Sequence, residues 1–493
     1  MSQRPHIVIF NPDQFRFDGL GHSGNPCAST PHLDRLARED GVSFTHAFCQ
    51  NPVCTPSRCS FMTGWYPHVR GHRTMYHMLH ADEPILLRTL KEQGYFVWWG
   101  GKNDLIPGKD AALLSACCDV KYRPPVRPWP MCASDLTDAP HRDPAGDDYY
   151  SFYTGRLDTR GEAVYRDSDW LNIEGAVDLI RHAPAGKPLC LYLPLTYPHP
   201  SYGVEEPWYS RIDRARVPPR IPTPPGWQGK PAMLRGIWER QRLQSWDEAR
   251  WTELRATYYG MCARVDHQFG LLVEALRAAG IYDQTAIFVF SDHGDFTGDY
   301  GLVEKNQNSF EDVLTRVPFL VKPPAGVPLR PGTRDALVEL VDFPATVEAL
   351  AGLAPGHTHF GRSLLPLLAG AATEHRDAVF CEGGRLHGER HCMELASTSS
   401  QSPAGKYWPR VSLQQSEGPE HTKAVMCRTR DFKYVRRLYE PDELYDLRND
   451  PRELANRIDD PSLAEVRTRL QQRLLTFFLE TADAVPHRTD ARD

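Results

Sequence analysis

The chain has 493 residues, 41% apolar and 24% charged, a globular composition too long for one ordinary core and unlike that of a disordered chain. Its 57 basic and 63 acidic residues leave a net charge of −6, so no overall basic field is available to attract nucleic acid. The apolar run Ile7–Phe10 is too short for a signal-peptide core, and no stretch reaches the ~20 apolar residues of a membrane helix. These features predict a soluble cytoplasmic protein with no membrane partner, whose 12 cysteines stay reduced and act mostly as small core residues.

In chain order, HIVIF predicts a first strand that runs out at Asn11, Pro12 and Asp13. Thr30 then caps a helix with Pro31 in its first turn and Leu33, Leu36 and Ala37 on one side. Thr55 and Pro56 predict the cap and first position of a helix over about 56–62, stopped by Gly64. Residues 84–93 carry helical spacing, and so does the long stretch 247–279 before Gly280. CLYLPLTYPHP and TAIFVFSDHGD predict strands that lead to His199 and to Asp292–His293. Segments 121–147 and 201–232, rich in proline, read as long ordered loops, either lids or surface decoration. In and beside them, Trp129, Trp208, Trp227 and Tyr202 are either an aromatic platform or loop anchors. From about residue 376 the pattern changes to short strand-like pieces, AVFCEGG, KAVMCRT and FKYVRRLY, and a last amphipathic helix at about 462–482.

Alternating strands and helices predict an α/β fold, a large mostly parallel sheet flanked by helices over residues 1–375, with a smaller C-terminal α+β domain over 376–493. Open sheets of this kind bind ligands beyond the carboxyl ends of their strands. Asp13, His199, Asp292 and His293 all fall there.

The segment CQNPVCTPSRCSFMTG sets Cys49, Cys54 and Cys59 with four residues between each and the next, wider than the usual zinc knuckle. Nearby His68, His72, His77 and His80 keep a zinc reading open beside that of plain core cysteines. A third reading comes from the predicted helix start. Cys54 lies where free N–H groups and Arg58 one turn on favour a thiolate or a bound oxyanion.

CTPSR matches the C-x-P-S-R signature of sulfatases, the segment that a formylglycine-generating enzyme reads. HIVIFNPDQFRFD resembles the opening strand and metal site of that family, GGKNDL its G-K segment and TYPHPSYGVEEPW its histidine loop. FSDHGDFTGDYGLVEK resembles its second metal segment and lysine, and ELYDLRNDPRELANRI its closing stretch, all in family order. The chain thus resembles a formylglycine-dependent sulfatase of the alkaline phosphatase superfamily.

The resemblance implies that Cys54 becomes an aldehyde whose hydrate attacks sulfur, with Arg58 and Lys102 holding the diol. His199 and Lys305 would bind the sulfate oxygens and serve the leaving alcohol. The implied metal set is Asp13, Gln14, Asp292 and His293, completed by the modified Cys54. Gln14 stands where sulfatases commonly have a second aspartate, and His293 where they often have asparagine or aspartate. Both features also occur in phosphonate monoester hydrolases, and the nitrogen ligand makes Mn2+ a candidate beside Ca2+. Asp104 occupies the place of a family histidine, and His72 or His77 can stand in for a family asparagine or be surface histidines. Asp295 and Asp299 read as loop carboxylates.

The resemblance implies hydrolysis of a small organic, arylsulfatase-type sulfate ester. The alternatives are hydrolysis of phosphonate monoesters or phosphodiesters by the same nucleophile, and a catalytically silent binding protein. Related hydrolases also imply a homo-oligomer.

Overall fold

Buried β-branched and aromatic runs form the strands of the computed structural model, which describes residues 4–493 apart from 131–142, 144, 185, 395–401, 488, 490 and 493. The strands are β1 (His6–Asn11), β2 (Val42–Phe48), β3 (Phe96–Trp99), β4 (Val120–Lys121), β5 (Tyr153–Arg156), β6 (Leu189–Pro194), β7 (Tyr202–Val204) and β8 (Thr285–Phe290). They continue with β9 (Arg316–Val317), β10 (Phe319–Lys322), β11 (Gly332–Glu339), β12 (Val379–Gly383), β13 (Ala424–Arg428), β14 (Phe432–Arg437) and β15 (Glu443–Asp446). The principal helices are α1 (Pro31–Arg35), α2 (Cys54–Thr63), α3 (Leu86–Glu92), α4 (Ser168–Arg181), α5 (Glu248–Ala278), α6 (Asp342–Ala351) and α7 (Ala464–Thr481).

The large sheet has nine strands in the order β11-β2-β10-β8-β1-β6-β3-β4, with β9 alongside β2. β1 lies at its centre, parallel to β6 on one side and β8 on the other. Only β9 and β10 run against their neighbours, so the expected mostly parallel architecture is the observed one.

Both faces of this sheet are covered, which explains its unbroken apolar strands. Ile7 and Ile9 join one core with Ala286 and Phe288, under Phe61 of α2, Leu87 of α3 and Phe343 of α6. Val8 and Phe10 point the other way and join Ile287 and Val289, under Ile173 of α4 and Phe269 of α5.

The smaller antiparallel sheet, β12-β13-β14-β15, packs against α7 through Phe380, Tyr434, Leu470 and Phe477. The long helix over 247–279 is present, with Asp247 accepting from Arg250 N at its start and Gly280 beyond its end.

Two expected caps are corrected. Thr30 precedes α1, but its hydroxyl serves Gly21 N and Asp34 instead of the helix. The carboxylate of Asp266, from α5, accepts from His32 N and Leu33 N in its place. In α2 the helix starts at Cys54, so Val53 and not Thr55 is the N-cap residue, and Thr55 Oγ1 is buried without a partner. Cys54 is therefore inside the first helical turn. Gly64 ends the helix in the left-handed region at φ 73°, as its position in the sequence predicts.

Candidate active site

The carboxyl ends of β1, β6 and β8 are neighbours, and each is followed by a polar turn. Asp13 and Gln14 follow β1, His199 follows β6, and Asp292–His293 follow β8. Lys102 follows β3, where Lys102 N donates to Pro194 O at 2.9 Å. Gly101 before it has φ 103°, and a Cβ there would lie 2.3 Å from Pro194 O, so this close turn needs glycine. The first turn of α2 places Cys54 against the same edge. The sheet thereby gathers residues from six separate stretches of sequence, with Lys305 the last of them.

At the centre, ligand atoms of Asp13, Cys54, Asp292 and His293 all lie within 4.8 Å of one another. Cys54 Sγ is 3.2 Å from His293 Nε2 and 3.6 Å from Asp13 Oδ1. His293 Nε2 is 3.7 Å from Asp13 Oδ1 and 3.8 Å from Asp292 Oδ1. His293 Nδ1 donates to Gly294 O at 2.9 Å, which leaves the lone pair on Nε2, facing the carboxylates.

Arg58 pins the opposite oxygens. Its Nη2 meets Asp13 Oδ2 at 2.9 Å and Asp292 Oδ2 at 2.8 Å, all three side chains being wholly buried. One oxygen of each carboxylate thus remains turned to His293. Two carboxylate oxygens, one imidazole nitrogen and the position 54 side chain form a group that could hold a metal ion.

Burial opposes ionisation of Asp13, but Lys102 and Arg58 outweigh it and hold its carboxyl well below the usual range. Lys102 Nζ is 2.7 Å from Asp13 Oδ2 and 2.9 Å from Asp104 Oδ2. Burial, and after it Asp13, push the Cys54 thiol well up in the metal-free site, where an unconverted Cys54 is a poor nucleophile.

Gln14 occupies the left-handed region at φ 65°, strain held by Tyr258, whose hydroxyl donates to Gln14 O at 2.8 Å and accepts from Arg16 N at 2.8 Å. Its amide oxygen accepts from Lys305 Nζ at 2.6 Å, and its Nε2 donates to Asp295. Asp295 and Asp299 are indeed structural loop carboxylates. Asp295 also accepts from Tyr202 and Thr297, and Asp299 pairs with Arg16 and Arg255.

His199 lowers its pKa to about 3, through burial first and then Lys305 beside it. Its Nδ1 bonds to Pro200 O, so the free site holds a neutral imidazole. The backbone before it is fixed by the buried carboxylate of Asp169, which accepts from Thr196 N and Tyr197 N.

The three cysteines do not form a zinc site. Cys49 packs beside Cys381 with its thiol 3.8 Å from Leu314 O, and Cys59 belongs to the apolar core around Phe61. Replacing both Cys49 and Cys59 by alanine is expected to leave the metal content of the purified protein unchanged, as read by elemental mass spectrometry.

His72 and His77 do not join the site either. His72 bridges His77 O and Glu83, and His77 bonds to Thr74, so both build the loop they belong to. A second cluster, Glu389, His391 and Cys392, also groups ligand atoms, but Arg73 holds both oxygens of Glu389 at 3.0 and 3.2 Å.

Cys54, Lys102, His199 and Lys305 open into a cleft of about 340 Å³. Met75, Tyr76 and Met78 from the loop after α2 form one wall. Of the two readings of the loop aromatics, the anchors are what the structure has: Trp208, Trp227 and Tyr202 are core residues, and Trp129 packs on Tyr165 and is not among the cleft's lining residues. Part of segment 121–147 lies outside the described residues. The sequence reading missed four further wall residues, Glu304, Glu394, Tyr407 and Arg410. Only Glu304 was within reach, as the neighbour of Lys305; the other three carry no motif.

The sequence model of the sulfatase family matches residues 5–353. The chain belongs to the sulfatase family. An ulvan-active sulfatase of Formosa agariphila is 28% identical over 65% of the chain, which spans 56% of that relative's length. The multifunctional alkaline phosphatase superfamily protein PehA of Trinickia caryophylli is 26% identical over 97% of the chain and 96% of its own length. Among solved structures, the phosphonate monoester hydrolase of Agrobacterium radiobacter superposes with a TM-score of 0.74, covering 99% of this chain and 100% of that one at 22% identity. This sulfatase-family chain therefore shares the fold of those hydrolases. Among its described residues no helix is long and apolar enough to cross a membrane.

Proposed function

We propose that this protein hydrolyses sulfate esters of small organic alcohols or phenols, with residue 54 as the nucleophile after conversion to formylglycine. The observation that carries this reading is the packing of Cys54 Sγ 3.2 Å from His293 Nε2 within the buried Asp13–Asp292–Arg58 cluster, at the mouth of a cleft. Conversion, by a formylglycine-generating enzyme, is what gives residue 54 its two geminal hydroxyls: one attacks, and loss of a proton from the other expels the covalent ester as the aldehyde re-forms, which a thiol cannot do. Asp13, Gln14, Asp292 and His293, with residue 54, would hold one Mn2+ or Ca2+, which when bound lowers the pKa of a hydroxyl and neutralises ester oxygens.

The chain's own groups supply the rest. Arg58 holds both carboxylates, with two contacts to Asp292 and one to Asp13, Lys102 holds Asp13, and the two cations would hold the diol at position 54. Lys305, itself held by Gln14 and Glu304, presents a cation to the transferring group's oxygens. His199 lines the same cleft; neutral in the free site, it would take up a proton when the anionic ester binds and pass it to the departing alcohol.

A second reading is favoured by Gln14. An amide in place of a second aspartate makes the site less negative, which suits the singly charged phosphonate monoesters and phosphodiesters as well as sulfates. The multifunctional relative supports such breadth. Comparing kcat/KM on matched aryl sulfate and aryl phosphonate monoesters tests the order. Sulfate ahead is the expected result, and phosphonate clearly ahead makes the second reading the principal one.

A further inference from the structure

Two charged residues of the cleft lining, Glu394 and Arg410, have no part in the chemistry above. Arg410 Nη1 meets Glu304 Oε2 at 3.1 Å and Lys305 O at 3.3 Å, and its Nη2 meets Glu394 Oε2 at 3.0 Å. Arg410 is 8% exposed and Glu394 3%. Two carboxylates thus share one guanidinium in a nearly water-free wall. Each partner still keeps one buried atom without a protein partner: the donor Nε of Arg410 and the acceptor Oε1 of Glu394. A buried polar atom without a partner has given up its hydrogen bond to water and gained none in return, so each of these two atoms favours a ligand that supplies one.

We propose that Glu394 and Arg410 form the leaving-group subsite of this enzyme and select esters whose alcohol part is uncharged and carries a further hydroxyl. One hydroxyl satisfies both atoms, accepting from Arg410 Nε and donating to Glu394 Oε1. Glu304 is also paired with Lys305, so the acceptor left uncovered is Glu394 Oε1, and a carboxylate or second sulfate placed against it is repelled. An ammonium leaves the Arg410 donor unmet and faces its positive charge. Val53, Met75 and Met78 add apolar surface to the lining, beside Tyr76 and Tyr407, and suit the ring that bears the hydroxyl. A cleft of about 340 Å³ lies at the small end of ligand sites, which limits the leaving group to about one ring. The substrate class is therefore the monoester of a small hydroxylated phenol or alcohol, and a multiply sulfated sugar is disfavoured.

This inference rests on the hydrolytic reading, and its test separates the two. Phenyl, 3-hydroxyphenyl, 4-hydroxyphenyl and 4-carboxyphenyl esters are compared, as sulfates or as phosphonates according to which the protein turns over. The better hydroxyphenyl ester is expected to exceed the phenyl ester in kcat/KM by about 10-fold or more, a hydrogen bond to a charged group being at stake. The carboxyphenyl ester is expected to fall behind by a similar factor. In Glu394→Gln the penalty on the carboxyphenyl ester should shrink about 10-fold, and in Arg410→Lys, which lacks Nε, the hydroxyl preference should disappear. Thermal melts show which variant is folded, and either alone suffices. Equal rates on all esters, or ratios unmoved in a folded variant, overturn the proposal. NMR titration with resorcinol, hydroquinone, phenol and 4-hydroxybenzoate reads the same ranking without turnover. If no ester is hydrolysed but the diols bind best and lose that advantage in the variants, the reaction assignment fails and the subsite stands. If the four bind alike, the subsite fails.

Discussion

Cys54→Ala is expected to lower kcat/KM on the preferred ester by a factor on the order of 10³ or more, with the fold intact. The size of the loss follows from covalent catalysis: without residue 54 no group in the cleft can form and then release a covalent ester, and removing a nucleophile typically costs orders of magnitude. The fold survives because the substitution deletes one sulfur atom. Cys54 is 2% exposed, but its neighbours are the polar groups of the site, so no apolar packing collapses. A loss of about 1 kcal/mol is the ordinary scale for such a change. Steady-state kinetics and a thermal melt measure both numbers. Undiminished turnover in Cys54→Ala would place the nucleophile elsewhere. Absence of turnover in both proteins would favour the silent binding reading. Mass spectrometry of the peptide containing residue 54 distinguishes an aldehyde from a thiol and so shows whether the tested material was converted.

Arg58→Leu should destabilise the metal-free protein by about 3–5 kcal/mol, the usual consequence of breaking a buried ion pair from one side. Asp13 and Asp292 are both 0% exposed, and Arg58 is the cation they share. Lys102 still compensates Asp13 in the variant, so Asp292 bears most of the loss. Added Mn2+ or Ca2+ should then raise the melting temperature of the variant more than that of the wild type, because a cation that binds only the folded state takes over the missing charge. Calorimetry with and without each cation measures the difference. A variant whose melting point is indifferent to divalent ions would remove the metal from the proposed mechanism. Activity should fall along with stability, since the diol and both carboxylates lose their common anchor.

Much of this molecule is legible along the chain because its information is local. The alternation Ile7, Ile9 against Val8, Phe10 is visible as one unbroken apolar run, and such runs belong to strands covered on both faces. Asp13, His199 and Asp292–His293 stand out because each follows such a run, and a parallel sheet brings the ends of its strands to one edge. Cys54 and Arg58 stand out because they are one helical turn apart in a short motif.

What escapes a linear reading depends on groups far apart in sequence. α1 is capped by Asp266, more than 200 residues away, although Thr30 has the right chemistry beside it. Gln14 is oriented by Lys305 and Asp295, and Arg410 and Glu394 reach the cleft from the segment beyond the large sheet. The tryptophans of the irregular loops could as well have faced the cleft as the core, and Trp208 and Trp227 lie in the core. Local pattern states which backbone a segment prefers and which face is apolar. The direction of a long polar side chain is set instead by whichever charge the folded chain brings within hydrogen-bonding distance, and no spacing rule along the chain encodes that encounter.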